Sequence, residues 1–461
     1  MGTIKGGFHM AFDLTQLHVD QSHDTLTKDG KLHRQSQPIA QLAEFTVPTR
    51  DPLEPIKQVE SALIAELIPM RHERMAASSF AFFRGTAELM AEDLAAQKQA
   101  DIPVVASGDA HIGNFGFYAS PERQLLFDLN DFDEVGVASF EFDVKRLLTS
   151  IVLAGQLNGF ETEDLLQLVT ESAEVYREGI RSNNELSTLD RFYISSEVKT
   201  LLDQLDASPD AAEFLQPVIS KAMRHNSENV VDKFTTTDKM GHTIFRDLPP
   251  KSIHLSEKNY QEIHAGINMY RKTTRADINL LLSNYHVTDI IRHSVGVGSF
   301  GTRCYLVLLT SNDQSHLVLQ VKEALPNRRF FTPHHELTRS QEVTEGQRII
   351  DAQKILQKAS DPFLGYFTLD EHSYYVRQFR DMKESIELTS LSWENFQTYA
   401  KSCAYLLASS HAQSPTLPLI AGYLGKKDTF DDAVTTWVRD YTQQVQKDYQ
   451  RFVEALSNKE I

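Results

Sequence analysis

The sequence predicts an α+β protein of two lobes, in which a small, mainly β lobe at residues 291–385 is inserted between helical segments of a larger one. Three observations predict this. VGVGSFGTRCYLVLLT and HLVLQVKEA alternate, are rich in β-branched residues and flank the turn SNDQS, which reads as a hairpin. FLGYFTLD and SYYVRQF supply two further strands around DEHS. Before and after this region, apolar residues recur at three- and four-residue spacing, as in TEDLLQLVTESAEVYREGI and DDAVTTWVRDYTQQVQKDYQRFVEAL, which is the mark of helices.

The elements follow in order. Residues 1–55 are polar and end in TVPTRDPLEP, whose prolines predict an extended arm. The larger lobe opens at 56 and runs to 290. From Ile56 to Gln99 the periodicity predicts two helices joined at SSFAFFRG. A short strand, IPVVAS, then leads into GDAHIGNFGFY; a second, QLLFDL, leads into NDFDE; FEFDVKRLLTSIVLAG returns to helical spacing. Residues 160–290 are almost wholly helical in pattern. Beyond the hairpin, HHELTRSQEVTEGQRIIDAQKILQ predicts a long helix, and residues 386–461 complete the larger lobe with helices from Trp393 onward.

Composition narrows the function classes. The 461 residues suit two or three domains, each able to bury its own core. Lys and Arg number 46 against 63 Asp and Glu, so the formal charge is 46 − 63 = −17. Such an acidic balance argues against a nucleic-acid backbone binder, which needs clustered cations to displace counterions. It leaves room for one small anionic ligand held locally. No run approaches the ~18–20 apolar residues of a membrane-spanning helix, so no membrane partner is expected. Cys304 and Cys403 make neither a disulfide framework nor a thiolate metal site, in keeping with a reducing, cytoplasmic setting.

Two motifs carry chemistry. Gly296-x-Gly298-x-x-Gly301 fits several phosphate loops, but here it runs into a strand and not into the helix that a Rossmann turn requires. A glycine loop between strands, followed by a strand bearing an apolar-flanked lysine, is the layout that covers nucleotide phosphates in kinases. Lys322 in LQVKEA is that lysine, with Ser299 in the loop; a glycine-rich hairpin with a snorkelling lysine is the bland alternative. The second motif is Asp109-x-His111-x-x-Asn114 after an apolar strand, with Asp128 closing the next strand. Phosphoryl transfer needs a carboxylate to orient the acceptor hydroxyl and oxygen ligands for Mg²⁺, and this set provides both. Asp131 and Asp133 compete for the metal role, and simple Asx-turns are the bland alternative.

A GD-x-H string also suggests a metallophosphoesterase, but the further His and Asn ligands that chemistry needs are missing downstream. His334 and His335 read as exposed. Arg84 in FFRG and Arg377 in YYVRQFRDMK each either pair with a carboxylate or reach an anionic substrate. Asp143 in FEFDVKRLL is expected to fasten the 109–114 loop by accepting backbone N–H groups.

Taken together, GDAHIGNFG, FDLNDFDE, VGVGSFGTRCY, LQVKEA, GQRIIDAQKILQKASDPFLGY and YYVRQFRDMK, with FRG near 84 and AGYLG near 424, resemble the bacterial family numbered 2252 among domains of unknown function. The resemblance spans about residues 50–450 and departs at VASFEFD, where that family tends to have Gly-Pro and Trp. It implies a neighbourhood with aminoglycoside-phosphotransferase-like and protein-kinase-like folds. Matching the kinase pattern implies Gly296, Gly298, Ser299 and Gly301 as phosphate loop, Lys322 as phosphate lysine, Asp109 as catalytic carboxylate, and Asn114 with Asp128 or Asp131 as metal ligands. Glu342, with Glu345 as alternative, would pair with Lys322. The loop motifs stand in reversed order for a kinase, which implies a circularly permuted bilobal fold. The expected activity is ATP- and Mg²⁺-dependent phosphotransfer to an unidentified small-molecule or protein hydroxyl. AMP transfer and a silent nucleotide-binding regulatory module are the alternatives.

Overall fold

The computed structural model describes residues 14–193, 227–294, 296, 300–326, 343–379 and 386–461. Its N-terminal stretch corrects the expectation of an extended arm. His23–Ser36 is an α-helix, capped by the Ser22 hydroxyl accepting from the Thr25 N–H, with Asp24 in its first turn. It buries little more than Leu26 and Gly30, so its apolar stripe is too thin to register in the sequence. Gly30 lies against the backbone of helix Leu417–Leu424, where a Cβ would come within 2.1 Å of the Leu419 carbonyl oxygen and 3.0 Å of the Gly422 Cα.

The two helices expected between Ile56 and Gln99 are four shorter ones, Leu53–Glu60, Ile68–Met75, Ser79–Arg84 and Ala87–Ala95. The presumed joint SSFAFFRG is itself a helix, because the Ser78 hydroxyl caps it and Phe80, Phe82 and Phe83 are buried. Strand β1 (Pro103–Ala106) follows, then β2 (Phe115–Ala119), β3 (Leu125–Leu129) and β4 (Gly136–Ser139). β2 and β3 form a hairpin, while β1 pairs antiparallel with β4. The acidic NDFDE segment is therefore the connection between the two pairs. Helix Glu141–Leu157 comes next and is buried from Glu141 to Gly155, including Asp143, Lys145 and Arg146. A helix covered on every side is the central one of its layer.

Residues 160–290 are less helical than their pattern suggests. After helix Thr162–Glu185 and the short Thr188–Tyr193 come helix Ser227–Phe234, the hairpin β5 (Thr235–Thr237) and β6 (Thr243–Phe245), and strand β7 (Ser252–His254). Helices Glu257–Tyr270 and Ala276–Leu282 precede β8 (Tyr285–His293). With β9 (Cys304–Ser311), β10 (His316–Ala324), β11 (Gly365–Leu369) and β12 (His372–Gln378), the last two form a six-stranded antiparallel sheet in the order β11-β12-β10-β9-β8-β7. The sheet thus begins well before residue 291.

Both faces of this sheet are covered, so β9 reads as an unbroken apolar run. Tyr305, Val307 and Leu309 pack with Ile263, Ile267 and Tyr270, whereas Leu306 and Leu308 pack with Val230, Val231 and Phe379. The main core joins residues from both ends of the chain: Leu147 and Ile151 of the central helix share it with Leu407, Trp437 and Tyr441. The long helix expected over HHELTRSQEVTEGQRIIDAQKILQ is described only as Glu345–Leu356, capped by Thr344; His334, His335 and Glu342 lie outside the described residues. Helices Trp393–His411 and Thr429–Asn458 match the C-terminal periodicity. Among the described residues no helix is long and apolar enough to cross a membrane.

Candidate functional site

The loop after β1 is held from below. Asp143, in the first turn of the central helix, accepts the Ser107 N–H at 2.6 Å and the Gly108 N–H at 2.9 Å. Gly108 has φ 78°, which favours glycine at this turn. The other face of the Asp143 carboxylate meets His411 Nε2 at 3.2 Å, and His411 Nδ1 lies 2.8 Å from the Tyr176 hydroxyl. All of these side chains are buried. The expected fastening by Asp143 is present, one residue ahead of Asp109.

Asp109 is 14% exposed; its Oδ1 accepts from Arg146 Nε at 2.9 Å and is ion-paired with Nη2 at 2.8 Å, while Nη2 donates to the Phe83 carbonyl at 2.7 Å. His111 Nδ1 accepts the Gly113 N–H at 3.0 Å, so the proton of a neutral ring sits on Nε2, 3.8 Å from Asp109 Oδ2. Burial, and then the nearby Arg84 and Arg146 charges, hold the His111 pKa well below its usual value. Asn114 donates Nδ2 to the Asp109 carbonyl at 2.7 Å, which leaves Oδ1 as its ligand-type atom.

Lys322 approaches from the sheet. On β10 it stands opposite Cys304 of β9 and Tyr375 of β12. Its ammonium donates to Asp133 Oδ2 and lies 3.8 Å from Asp131 Oδ1, while Tyr375 donates its hydroxyl to Asp133 Oδ1 at 2.7 Å. Burial opposes the charge on Lys322, but Asp131 and Asp133 outweigh it and raise the pKa well above the usual lysine value. Arg377, next in the row, donates Nε to Gln320 Oε1 at 2.9 Å. It too stays charged despite burial, under the influence of Tyr375, Asp131 and Asp133.

The stretch near 110–133 and the lysine strand therefore meet, with changes of role. The carboxylates at Lys322 are Asp131 and Asp133. Asp128 sits on β3 opposite Gly116, is 2% exposed, accepts the Leu129 N–H and acts through space on Lys358. Glu345, the alternative partner of Lys322, pairs instead with Arg348 at 2.6 Å. Arg348 was not singled out in the sequence, yet it ties three segments together. Its Nη1 donates to the Val135 carbonyl at 2.6 Å, and its Nη2 to the carbonyls of Asp133 and Leu325, both at 3.2 Å. Arg146 was also missed; the signal was a basic residue on the buried face of FEFDVKRLL, one turn beyond Asp143.

Of the glycine loop, Gly296 and Gly301 are described, with φ 88° and 109°; Gly298 and Ser299 lie outside the described residues. Segment 63–74 backs the loop. The Ile64 N–H donates to the Gly301 carbonyl at 2.8 Å, Arg74 Nη1 donates to the Gly296 carbonyl at 2.5 Å, and the Arg74 guanidinium covers the Phe300 ring at 3.9 Å. Between these parts opens a cleft of about 720 Å³ of empty space, solvent included, walled by Leu63, Arg84, Asp109, Asp133, Thr302 and Glu323. Among the described residues no three His, Cys, Asp or Glu side chains cluster as metal ligands.

Fold and site together define an α+β protein with a charged cleft between a helical layer and an antiparallel sheet. Over residues 63–455 the chain matches the family described as an uncharacterized protein conserved in bacteria, DUF2252, and it belongs to that family. No curated protein and no solved structure matches it.

Proposed function

We propose that this chain is an ATP- and Mg²⁺-dependent phosphotransferase of kinase-like architecture, its two lobes in reversed order along the sequence. One observation carries the reading: Lys322, on β10 of an antiparallel sheet in which β8 and β9 flank Gly296 and Gly301, meets the Asp131 and Asp133 carboxylates. Strands β8, β9 and β10 followed by helix Glu345–Leu356 correspond in this reading to the strands and helix that cover ATP in kinases. The 107–114 loop would be the catalytic loop, with Asp109 orienting the acceptor hydroxyl and helix Trp393–His411 running into it from the C-terminal part of the chain.

The donor set fits Mg²⁺: Asp131, Asp133 and Asn114 Oδ1 are hard oxygen donors, and Mg²⁺ commonly takes one or two carboxylates plus substrate phosphates. When bound, the metal would neutralise phosphate charge. The chain's own part is to hold Asp109 in register through Arg146, to keep the loop fixed through Asp143, and to offer the Lys322 ammonium to phosphate oxygens.

One observation favours a second reading, a nucleotide-binding module without transfer. Arg146 already occupies Asp109 Oδ1, with Nε 2.9 Å and Nη2 2.8 Å away, before any acceptor hydroxyl arrives. Incubation with labelled ATP and Mg²⁺, with mass spectrometry of the products, separates the cases. Phosphoryl transfer adds phosphate to an acceptor and AMP transfer adds adenylate. ATP-dependent thermal stabilisation with no product marks the silent module. Failure of ATP to stabilise the protein with or without Mg²⁺ removes all three.

A further inference from the structure

Arg84 ends helix Ser79–Arg84 and forms part of the cleft wall beside Asp109, Asp133 and Thr302. Its Nε is buried with no hydrogen-bond partner, and no carboxylate among the described residues lies within ion-pairing distance of its guanidinium. The group is close to the 109–114 loop: a Cβ on Gly113 would stand 3.8 Å from Arg84 Nε. The Phe80 ring backs it at 5.8 Å.

The neighbouring acids do not account for it. Asp109 is matched by Arg146, and Asp131 and Asp133 are matched by Lys322. Asp109, Asp131 and Glu387 act on Arg84 only through space, and burial outweighs them, lowering its pKa. A half-buried guanidinium whose Nε is shut off from water and unpaired is costly to keep, and its planar fork suits phosphoryl and carboxylate oxygens. In the same cleft, Arg71 shows the structural alternative, since it donates Nη2 to the Gly85 carbonyl at 2.8 Å and lies 3.7 Å from Glu60.

We propose that Arg84 is the oxyanion receptor of the cleft, holding a phosphoryl group beside Asp109. This deepens the phosphotransferase reading and rests on it for the meaning of the ligand. The phosphoryl group has two possible sources, the terminal phosphate of the nucleotide or an anionic group on the acceptor. The receptor itself is testable without either.

The test measures thermal unfolding of the full chain and of Arg84→Gln against inorganic phosphate, with chloride at matched ionic strength as control, and then against ATP and ADP with Mg²⁺. Since Arg84 bonds no described residue, the variant is expected to fold, and circular dichroism checks that it does. The expected result is phosphate stabilisation of the wild type that weakens about tenfold or more in apparent affinity in Arg84→Gln and is partly kept in Arg84→Lys. If the group held is the nucleotide's terminal phosphate, the variant also loses the preference for ATP over ADP. If it belongs to the acceptor, that preference survives while phosphate added on top of Mg·ADP no longer stabilises the variant. Equal phosphate response in wild type and Arg84→Gln overturns the proposal, even where ATP binds. Absence of any nucleotide effect with phosphate response intact overturns only the phosphotransferase reading.

Discussion

Lys322 and Asp133, 189 residues apart in the chain, form an ion pair in which the Tyr375 hydroxyl joins the same carboxylate. The lysine side chain is 3% exposed and the aspartate 19%. A pair this sheltered is held by mutual attraction, so removing one member leaves a charge that water solvates only in part.

Lys322→Met should therefore destabilise the protein by roughly 2–4 kcal/mol, read from denaturant unfolding. Adding Asp133→Asn to that variant should recover part of the loss, because the more buried of the two carboxylates that lost the lysine is then neutral, while Asp131 keeps its charge. The same Lys322→Met protein should show no Mg·ATP-dependent rise in melting temperature. A double variant no more stable than the single, or undiminished ATP stabilisation, contradicts this account of the pair.

Asp109→Asn keeps the shape of the loop and removes the charge. Turnover of whatever acceptor is found should fall by about 10²–10⁴-fold, while the ATP dissociation constant stays within about twofold. The readout is a single-turnover rate beside a binding isotherm. Full activity in this variant would show that Asp109 is not the residue that orients the acceptor.

The pH response of the sheet edge follows from His254. Its Nδ1 lies 2.9 Å from Asp247 Oδ1 and its Nε2 3.1 Å from Asp289 Oδ2. Burial lowers its pKa, but the hydrogen bonds to Asp247 and Asp289 prevail and raise it above 6.5. The folded state then binds the proton more tightly than the unfolded one. The stabilisation is complete below pH 6.5 and is lost as pH rises through the raised value. Because the ring is 34% exposed, about 0.5–1 kcal/mol is expected. His254→Gln should flatten this step in stability measured from pH 5.5 to 8.5; an unchanged step would assign it elsewhere.

Gly30→Ala tests the N-terminal helix. The nearest atoms to its missing Cβ are backbone atoms of residues 419–423, which cannot rotate aside. A loss of about 1–3 kcal/mol is expected, with faster proteolysis within residues 23–36. A neutral result would mean that this helix contributes no stability where it docks.

How much of this was legible in the sequence varied with the range of the interaction. The β9–β10 hairpin and the position of Lys322 could be read because alternation and turn chemistry are local signals. The loop fastening by Asp143 was expected for residues 109–114, and the carboxylate takes the N–H groups of Ser107 and Gly108 just ahead of them. Which of Asp128, Asp131 and Asp133 pairs with Lys322 could not be read, because all three end or follow one strand and the lysine is distant in sequence. The helix at 23–36 was hidden for a different reason: its contact is made by Gly30, and a glycine contributes nothing to a hydrophobic period.

Asp143 offers the sharpest test of positioning. Its carboxylate joins the Ser107 and Gly108 N–H groups to His411, and through it to Tyr176, without lining the cleft. Asp143→Asn retains one carbonyl oxygen, so one of the two loop N–H groups loses its acceptor inside the core, at a cost of about 1–3 kcal/mol. A structural role alone predicts lower stability and unchanged chemistry per folded molecule. The positioning role predicts more: faster amide exchange across residues 107–114 and a lower kcat with little change in the KM for ATP, since Lys322 and the glycine turn are anchored elsewhere. His411→Phe, which keeps the ring volume and leaves both loop bonds to Asp143 in place, should show the same pattern in weaker form. If Asp143→Asn loses stability while loop exchange and kcat stay at wild-type values, the buried chain from Tyr176 to Gly108 supports the core and has no part in holding Asp109.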